Sequence, residues 1–181
     1  MYFNECMNGF EHQVAGHMIW EDMVMEGLAV ERAMHDRYHA SKRNPWNEVE
    51  CGDHYARSMA SYGVFLAACG YEYYGPKGHL GFAPRLTPGN FKAPFTTAEG
   101  WGTFSQRIVA DRHQAEVHLK YGKLRLRSLA LAVAGHPERV EVSLNGKLIK
   151  AQHALDGSRL LITLTDSVEL GKDANLKVSI S

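Results

Sequence analysis

Val140-Glu141-Val142-Ser143-Leu144-Asn145-Gly146-Lys147-Leu148-Ile149 is the stretch on which the class of the C-terminal half turns. Val140, Val142 and Leu144 alternate with Glu141 and Ser143, the two-residue period of a strand with one face buried. Asn145-Gly146 then separates this run from a second apolar one. A type I′ turn needs positive φ at both central residues, and Asn-Gly is the pair that adopts it most readily, so the stretch predicts a β-hairpin. A hairpin by itself is marginally stable and needs further strands. They stand on either side: Val117, Leu119, Tyr121, then Leu124, Leu126, then Leu129, Leu131, Val133 upstream, with Gly122 at a turn, and Leu160, Ile162, Leu164 and Leu176, Val178, Ile180 downstream. The region 107–181 is therefore expected to be antiparallel β structure.

Working back toward the N-terminus, residues 71–106 are rich in Gly, Pro and aromatic side chains (Tyr71, Tyr73, Tyr74, Phe82, Phe91, Phe95, Trp101), the composition of an ordered connecting loop or hairpin. Residues 1–70 carry a helical period instead. From Phe10 to Tyr38, Val14, Met18, Met25 and Ala15, Ile19, Met23 recur at helical spacing, and Gly27 stands where one helix is expected to end and the next to begin. A polar stretch from His39 to Gly52, broken by Pro45 and Gly52, leads to a third helix, capped by Asp53 and running to about Cys69. Between Tyr55 and Cys69 the only charged residue is Arg57; a helix apolar or small nearly all round is expected to be buried on all sides, as in the inner ring of a helical toroid. The class that results is α+β.

The 181 residues are 45% hydrophobic, enough to fill a core, and Lys plus Arg balance Asp plus Glu at 20 each. Zero formal charge leaves no basic footprint for nucleic acid or an anionic membrane, so neither is expected as a partner. No apolar run reaches the length of a membrane span. Met1 to Glu11 carry Glu5 and Glu11 where a secretion signal would place basic and then apolar residues, which predicts a cytoplasmic protein. Cys6, Cys51 and Cys69 are odd in number and lack Cys-x-x-Cys spacing, arguing for reduced thiols over a disulfide framework or structural zinc. Met1 runs almost at once into a helical pattern, as in a fragment or split gene product, and an N-terminal remainder is accordingly expected as a partner.

Arg57 is the strongest chemical signal. A guanidinium keeps its charge, so in an uncharged helix it must meet a carboxylate, a polar ligand or a wet pocket. Glu48, Glu50 and Asp53 are the nearest acids. Glu48 lies nine positions before Arg57, the opposite face of a single straight helix, but Pro45 and Gly52 hold it in a loop free to fold over the helix end. A carboxylate and a guanidinium so placed either clamp sugar hydroxyls or tie loop to helix as a structural ion pair. Glu11, Glu50 and Asp53 read as solvated carboxylates rather than a catalytic pair. His35 and His39 lie four apart on one helical face, but no third ligand follows at a matching interval, so neither metal nor cofactor is expected. Trp46 and Trp101 suit stacking on sugar rings, but packing in a core or lid is the expected role of each. Cys51, without a positioned His-Asp partner, reads as an inert thiol.

Several stretches in the first hundred residues carry a resemblance: Asn4-Glu5-Cys6-Met7-Asn8-Gly9-Phe10-Glu11-His12-Gln13-Val14-Ala15, Met18-Ile19-Trp20-Glu21, Arg43-Asn44-Pro45-Trp46-Asn47-Glu48-Val49-Glu50-Cys51-Gly52, His54-Tyr55-Ala56-Arg57-Ser58-Met59 and Glu99-Gly100-Trp101-Gly102-Thr103-Phe104. They resemble the C-terminal part of family 116 glycoside hydrolases, the β-glucosidases and non-lysosomal glucosylceramidases. The resemblance implies that residues 1–70 are helices of an (α/α) six-hairpin barrel. It also implies that Glu48 and Arg57 hold glucose hydroxyls and that Glu5 is a further sugar ligand. That family hydrolyses β-glucosides with retention, using a carboxylate nucleophile and a carboxylic acid/base. Both belong to the part of the family fold that precedes this segment, so the resemblance places no catalytic residue here. It implies a β-glucoside as substrate and little activity from this chain alone.

Overall fold

Helical and strand periods segregate along the sequence, and the folded chain segregates with them. A computed structural model describes residues 5–48, 50 and 54–181. It divides into two compact units, Met1–Cys69 and Gly70–Ser181, the first helical and the second built of strands, so the class is α+β.

The first unit contains α1 (Asn8–Trp20), α2 (Val24–His35) and α3 (Ser58–Cys69), with α1 packed against both others. Ala15, Ile19, Met34, Val64 and Ala67 form its core, with Leu28 and Val30 against it. α1 ends at Trp20, and two residues later Asp22, at φ 64°, makes the left-handed turn that closes many helices. Gly27, expected to mark this break, lies inside α2 instead. A Cβ there would stand 2.7 Å from the Ala15 carbonyl oxygen and 2.8 Å from Ile19 Cγ1, so this glycine admits close approach of two helices.

α3 also departs from expectation. It starts at Ser58, leaving Arg57 just before the helix and not one turn inside it. Asp53 and Gly52, the expected cap and breaker, lie outside the described residues. Nor is α3 buried all round: Val64, Ala67, Ala68 and Cys69 are buried, whereas Met59 is 89% exposed. The apolar residues mark one packed side and one open side, and among the described residues the three helices do not close a barrel.

The second unit is two sheets. One has the order β1 (Glu72–Tyr74), β2 (His79–Phe82), β6 (Leu124–Ala132), β10 (Arg159–Leu170), β9 (Ala151–Asp156). The other has β3 (Asn90–Thr96), β4 (Gly100–Val109), β5 (Arg112–Gly122), β11 (Asn175–Ile180), β7 (Val140–Leu144), β8 (Lys147–Ile149). All pairings are antiparallel except β2 with β6. Inward residues of both sheets form one core, in which the Phe82 and Phe104 rings stack with centroids 3.9 Å apart. The Asn145-Gly146 hairpin forms as expected, with φ of 50° and 81° at its two central residues.

Residues 71–106, expected to be an ordered connecting loop or hairpin, hold β1 to β3 and most of β4, in two antiparallel pairs of consecutive strands, and start both sheets. Their period is hidden by residues with backbone duties. Pro94 lies on β3, an edge strand where a missing N–H is tolerated. At Gly102 a Cβ would fall 2.2 Å from the His118 carbonyl oxygen, so only glycine fits against β5. Among the described residues no helix is long and apolar enough to cross a membrane.

Candidate functional site

The polar chemistry of the helical unit gathers where the segment between α2 and α3 returns to α1. Glu48 is 0% exposed. Its carboxylate accepts from Arg37 Nε at 2.5 Å and from Arg43 Nη1 at 2.6 Å. Arg37 also donates from Nη1 and Nη2 to Glu11 on α1, at 3.2 and 2.5 Å, while Arg43 Nη2 donates to the Asn47 carbonyl at 3.1 Å. Partial burial works against the charge of Arg37, but the bonds from Glu11 and Glu48 outweigh it and raise its pKa. The Glu48 backbone is anchored too, its N–H donating to the Tyr55 carbonyl at 3.0 Å.

Arg57 takes a different partner from the one its spacing suggests. It donates from Nε to both oxygens of Glu50 at 3.0 and 3.1 Å and from Nη2 to Oε1 at 2.5 Å, the forked geometry a guanidinium offers a carboxylate. Its Cζ lies 4.1 Å from the Tyr55 ring centroid. Its side chain runs against Gly9, where an added Cβ would be 3.4 Å from Arg57 Cδ. The backbone of Arg57 has a φ of 50°, and its carbonyl accepts the Ala60 and Ser61 N–H groups at the start of α3. A left-handed conformation costs a non-glycine residue about 1 kcal/mol and persists only where surrounding contacts demand it. Here the helix start on one side and the Glu50 fork on the other supply that demand.

Arg57 and Glu50 line a cavity of about 280 Å³ with Gly9, Phe10, Gln13 and Ala60. Glu48 is not on that wall. The expectation that the head groups of Glu48 and Arg57 converge on one cavity is therefore corrected: the two belong to separate carboxylate–guanidinium clusters, Glu48 with Arg37 and Arg43 and Arg57 with Glu50, and the Glu50 N–H donates to the Glu48 carbonyl at 2.8 Å. Glu50 is also not the solvated carboxylate expected, being 4% exposed and bonded to Arg57. Glu11 is half-buried and paired with Arg37. Glu5, half-buried, lies just ahead of α1; Asn4 is outside the described residues.

Arg37 and Arg43 escape sequence reading because neither lies in an apolar run that would make its charge conspicuous. Trp46 is 80% and Trp101 50% exposed, so neither packs into a core. Cys69 is buried, which pushes its thiol up to about 11 and leaves it unreactive, whereas Cys51 is outside the described residues.

No family model and no curated protein matches the chain. Among solved structures, similarity is found to a GH127 β-L-arabinofuranosidase from Geobacillus stearothermophilus T6, at 14% identity and a TM-score of 0.41 over 70% of this chain. An α-L-rhamnosidase from Dictyoglumus thermophilum is similar at 11% identity and a TM-score of 0.38 over 75%. A further glycoside hydrolase is similar at 14% and 0.40 over 69%. This chain spans 18%, 16% and 19% of those three chains respectively.

Proposed function

We propose that this chain is part of a retaining glycoside hydrolase acting on β-glucosides, glucosylceramide among them, and that its helical unit supplies glucose-binding residues. In this reading Glu48 and Arg57, with Glu5 as a further ligand, meet the sugar; the nucleophile and acid/base precede the chain, and residues 1–70 belong to an (α/α) barrel. The observation that supports it best is Arg57: a guanidinium held rigid by a buried carboxylate, on a backbone of φ 50°, lining a cavity at a helix start. A rigid planar fork of donors is what discrimination between sugar hydroxyls requires. The resemblance in the first hundred residues joins Glu48 to it.

One observation favours a second reading, a non-catalytic carbohydrate-binding or structural module. Both Glu48 oxygens already accept guanidinium bonds from within the unit, as in an ion network that ties loop to helices.

Kinetics on the polypeptide that includes the preceding coding sequence separate the two. Arg57→Lys keeps charge but loses the fork, so kcat/KM on an aryl β-glucoside is expected to fall tens- to several-hundred-fold, equivalent to about 2 to 4 kcal/mol. The structural reading expects a lower melting temperature with kcat/KM of the folded enzyme unchanged. Unchanged kcat/KM for both Arg57→Lys and Glu48→Gln removes these residues from the sugar site. Turnover by the 181-residue chain alone, abolished by replacing one of its own carboxylates, overturns the assignment of the catalytic pair to the preceding segment.

A further inference from the structure

The groove between α1 and α3 does not end at the cavity of Arg57 and Glu50. Gly9, Gln13 and Ala60, which line that cavity, also line a second one of about 460 Å³, together with His12, Gly16, Trp20, Met59 and Gly63. Positions 9, 12, 13, 16 and 20 share one side of α1, because residues three and four apart on a helix are neighbours. Glycine at 9, 16 and 63 keeps the floor of the groove low. At Gly63 an added Cβ would meet nothing within 4 Å, so the space above it is open.

His12 is the buried polar side chain of this wall, 5% exposed. Its Nδ1 lies 2.8 Å from Glu31 Oε2 on α2. A carboxylate there holds the proton of the neutral ring on Nδ1 and leaves Nε2 as an acceptor, with the ring fixed in orientation. Among the described residues Nε2 has no hydrogen-bond partner, yet it is not one of the unbonded atoms sealed from solvent, so its free edge is the one the cavity reaches. Trp20 and Met59 present apolar surface beside it.

We propose that this groove binds a flat aromatic ring carrying a hydroxyl group, which donates to His12 Nε2 while the ring lies against Trp20 and Met59. The groove continues the Arg57 cavity, so in the β-glucosidase proposed above, on which this step rests, the hydroxyaryl ring is the aglycone. One oriented acceptor among glycine backbone, methionine and tryptophan decides the class. A sugar ring would bring several hydroxyls against a wall whose buried part offers one side-chain acceptor. An alkane or an apolar helix would cover Nε2 without supplying a donor, leaving it unsatisfied. An anion finds no lysine or arginine on this wall and meets the Glu31 carboxylate behind His12.

The test is a titration of the full 181-residue chain with p-cresol, followed by the side-chain 1H–15N signals of His12 and Trp20. Both are expected to shift saturably with a Kd on the order of millimolar. 4-Methylanisole, which has the same ring but no proton to donate, should bind about tenfold more weakly. Gly63→Leu improves helix propensity and sends its side chain into open space, so it should fold and abolish binding by filling the groove. Glu48→Gln should leave p-cresol binding unaltered, which separates failure of this site from failure of the glucose site. In the polypeptide that includes the preceding coding sequence, Gly63→Leu should lower kcat/KM about tenfold for 4-hydroxyphenyl β-D-glucopyranoside and leave it unchanged for methyl β-D-glucopyranoside; equal effects on both overturn the aglycone role. Absence of a saturable shift by about 50 mM, equal affinity for p-cresol and 4-methylanisole, or full affinity in Gly63→Leu overturns the proposal. So does self-association that Gly63→Leu abolishes in a chain that p-cresol does not shift, which assigns the groove to a second copy.

Discussion

The helical unit and the β unit solve the problem of stability with different materials. In the β unit, inward residues of two sheets, from Leu80 to Ile180, form one continuous apolar core. The helical unit has a small core of mostly short side chains, and it leaves Phe10, Met25 and Met59 more than half exposed. Its segment between α2 and α3 is held by guanidinium–carboxylate bonds: Arg37 to Glu11 and Glu48, Arg43 to Glu48, Arg57 to Glu50. Apolar burial scales with area and tolerates exchange of one side chain for another of like volume. A buried ion network does not, because removing one member leaves another's charge without compensation. Robust packing thus coexists in one chain with a polar region that is sensitive to single substitutions, and the proposed glucose-binding residues lie in the sensitive part.

Phe104→Ala tests the comparison most severely. The ring is 0% exposed and stacked on Phe82, so its removal should cost about 3 to 5 kcal/mol. Urea unfolding followed through amide exchange of β4 and β5 should show that loss, while exchange in α1 stays as it was. Equal acceleration in both units would mean that they unfold as one and would break the contrast.

Glu48→Gln probes the other side. Arg37 and Arg43 would lose the carboxylate they share, at a cost of about 3 kcal/mol confined to the helical unit. Amide exchange around α2 and the segment after it should speed up with β-unit exchange unchanged. A variant as stable as the parent would show that the network is solvated in practice and that apolar contacts hold both units alike.

The β unit carries one polar staple, and it should matter least. Glu72 accepts from Arg159 at 2.5 and 3.2 Å and pairs with His79 Nε2 at 3.0 Å; His79 Nδ1 in turn meets Ser128 Oγ at 2.9 Å, linking β1, β2, β6 and β10. The Arg159 bond lowers the Glu72 pKa against the opposing effect of burial, with His79 adding to the lowering. A depressed carboxylate contributes stability above its unfolded pKa, about 4.3, and loses it as pH falls through the folded value. Glu72 is 39% exposed, so screening keeps the contribution under about 1 kcal/mol. Denaturation midpoints between pH 7 and pH 3 should therefore fall slightly less in Glu72→Gln than in the parent; identical profiles would remove the staple from the account.

Much of the strand structure was legible residue by residue. Leu119, Leu124, Leu126, Leu129, Leu131, Leu160, Ile162, Leu176 and Val178 all face the core, because strict alternation leaves a strand only one apolar face to bury. Tyr121 breaks the series at 64% exposed, since the β4–β5 register shifts between Trp101 and Gly102 and carries it past the core. The strands in residues 71–106 were legible only as one of two alternatives, loop or hairpin, as glycine and proline there answer to a neighbouring backbone that no local window contains. At the candidate site, Glu48 and Arg57 stood out through a buried-charge argument and a resemblance, whereas Arg37, Arg43 and the Glu50 partnership did not.

Sequence alone determined the α+β class, the Asn145-Gly146 hairpin and the identity of most core residues in the strands, all properties set by local period and by the φ preferences of single residues. Tertiary structure alone decided which carboxylate meets which arginine, that Gly27 joins two helices where a break was expected, and that His12 meets Glu31 at the wall of a groove. The physical reason is one of range. Backbone preference and apolar alternation act within a few residues, while the partner of a charge or a buried nitrogen is chosen by distances that exist only after distant segments have packed.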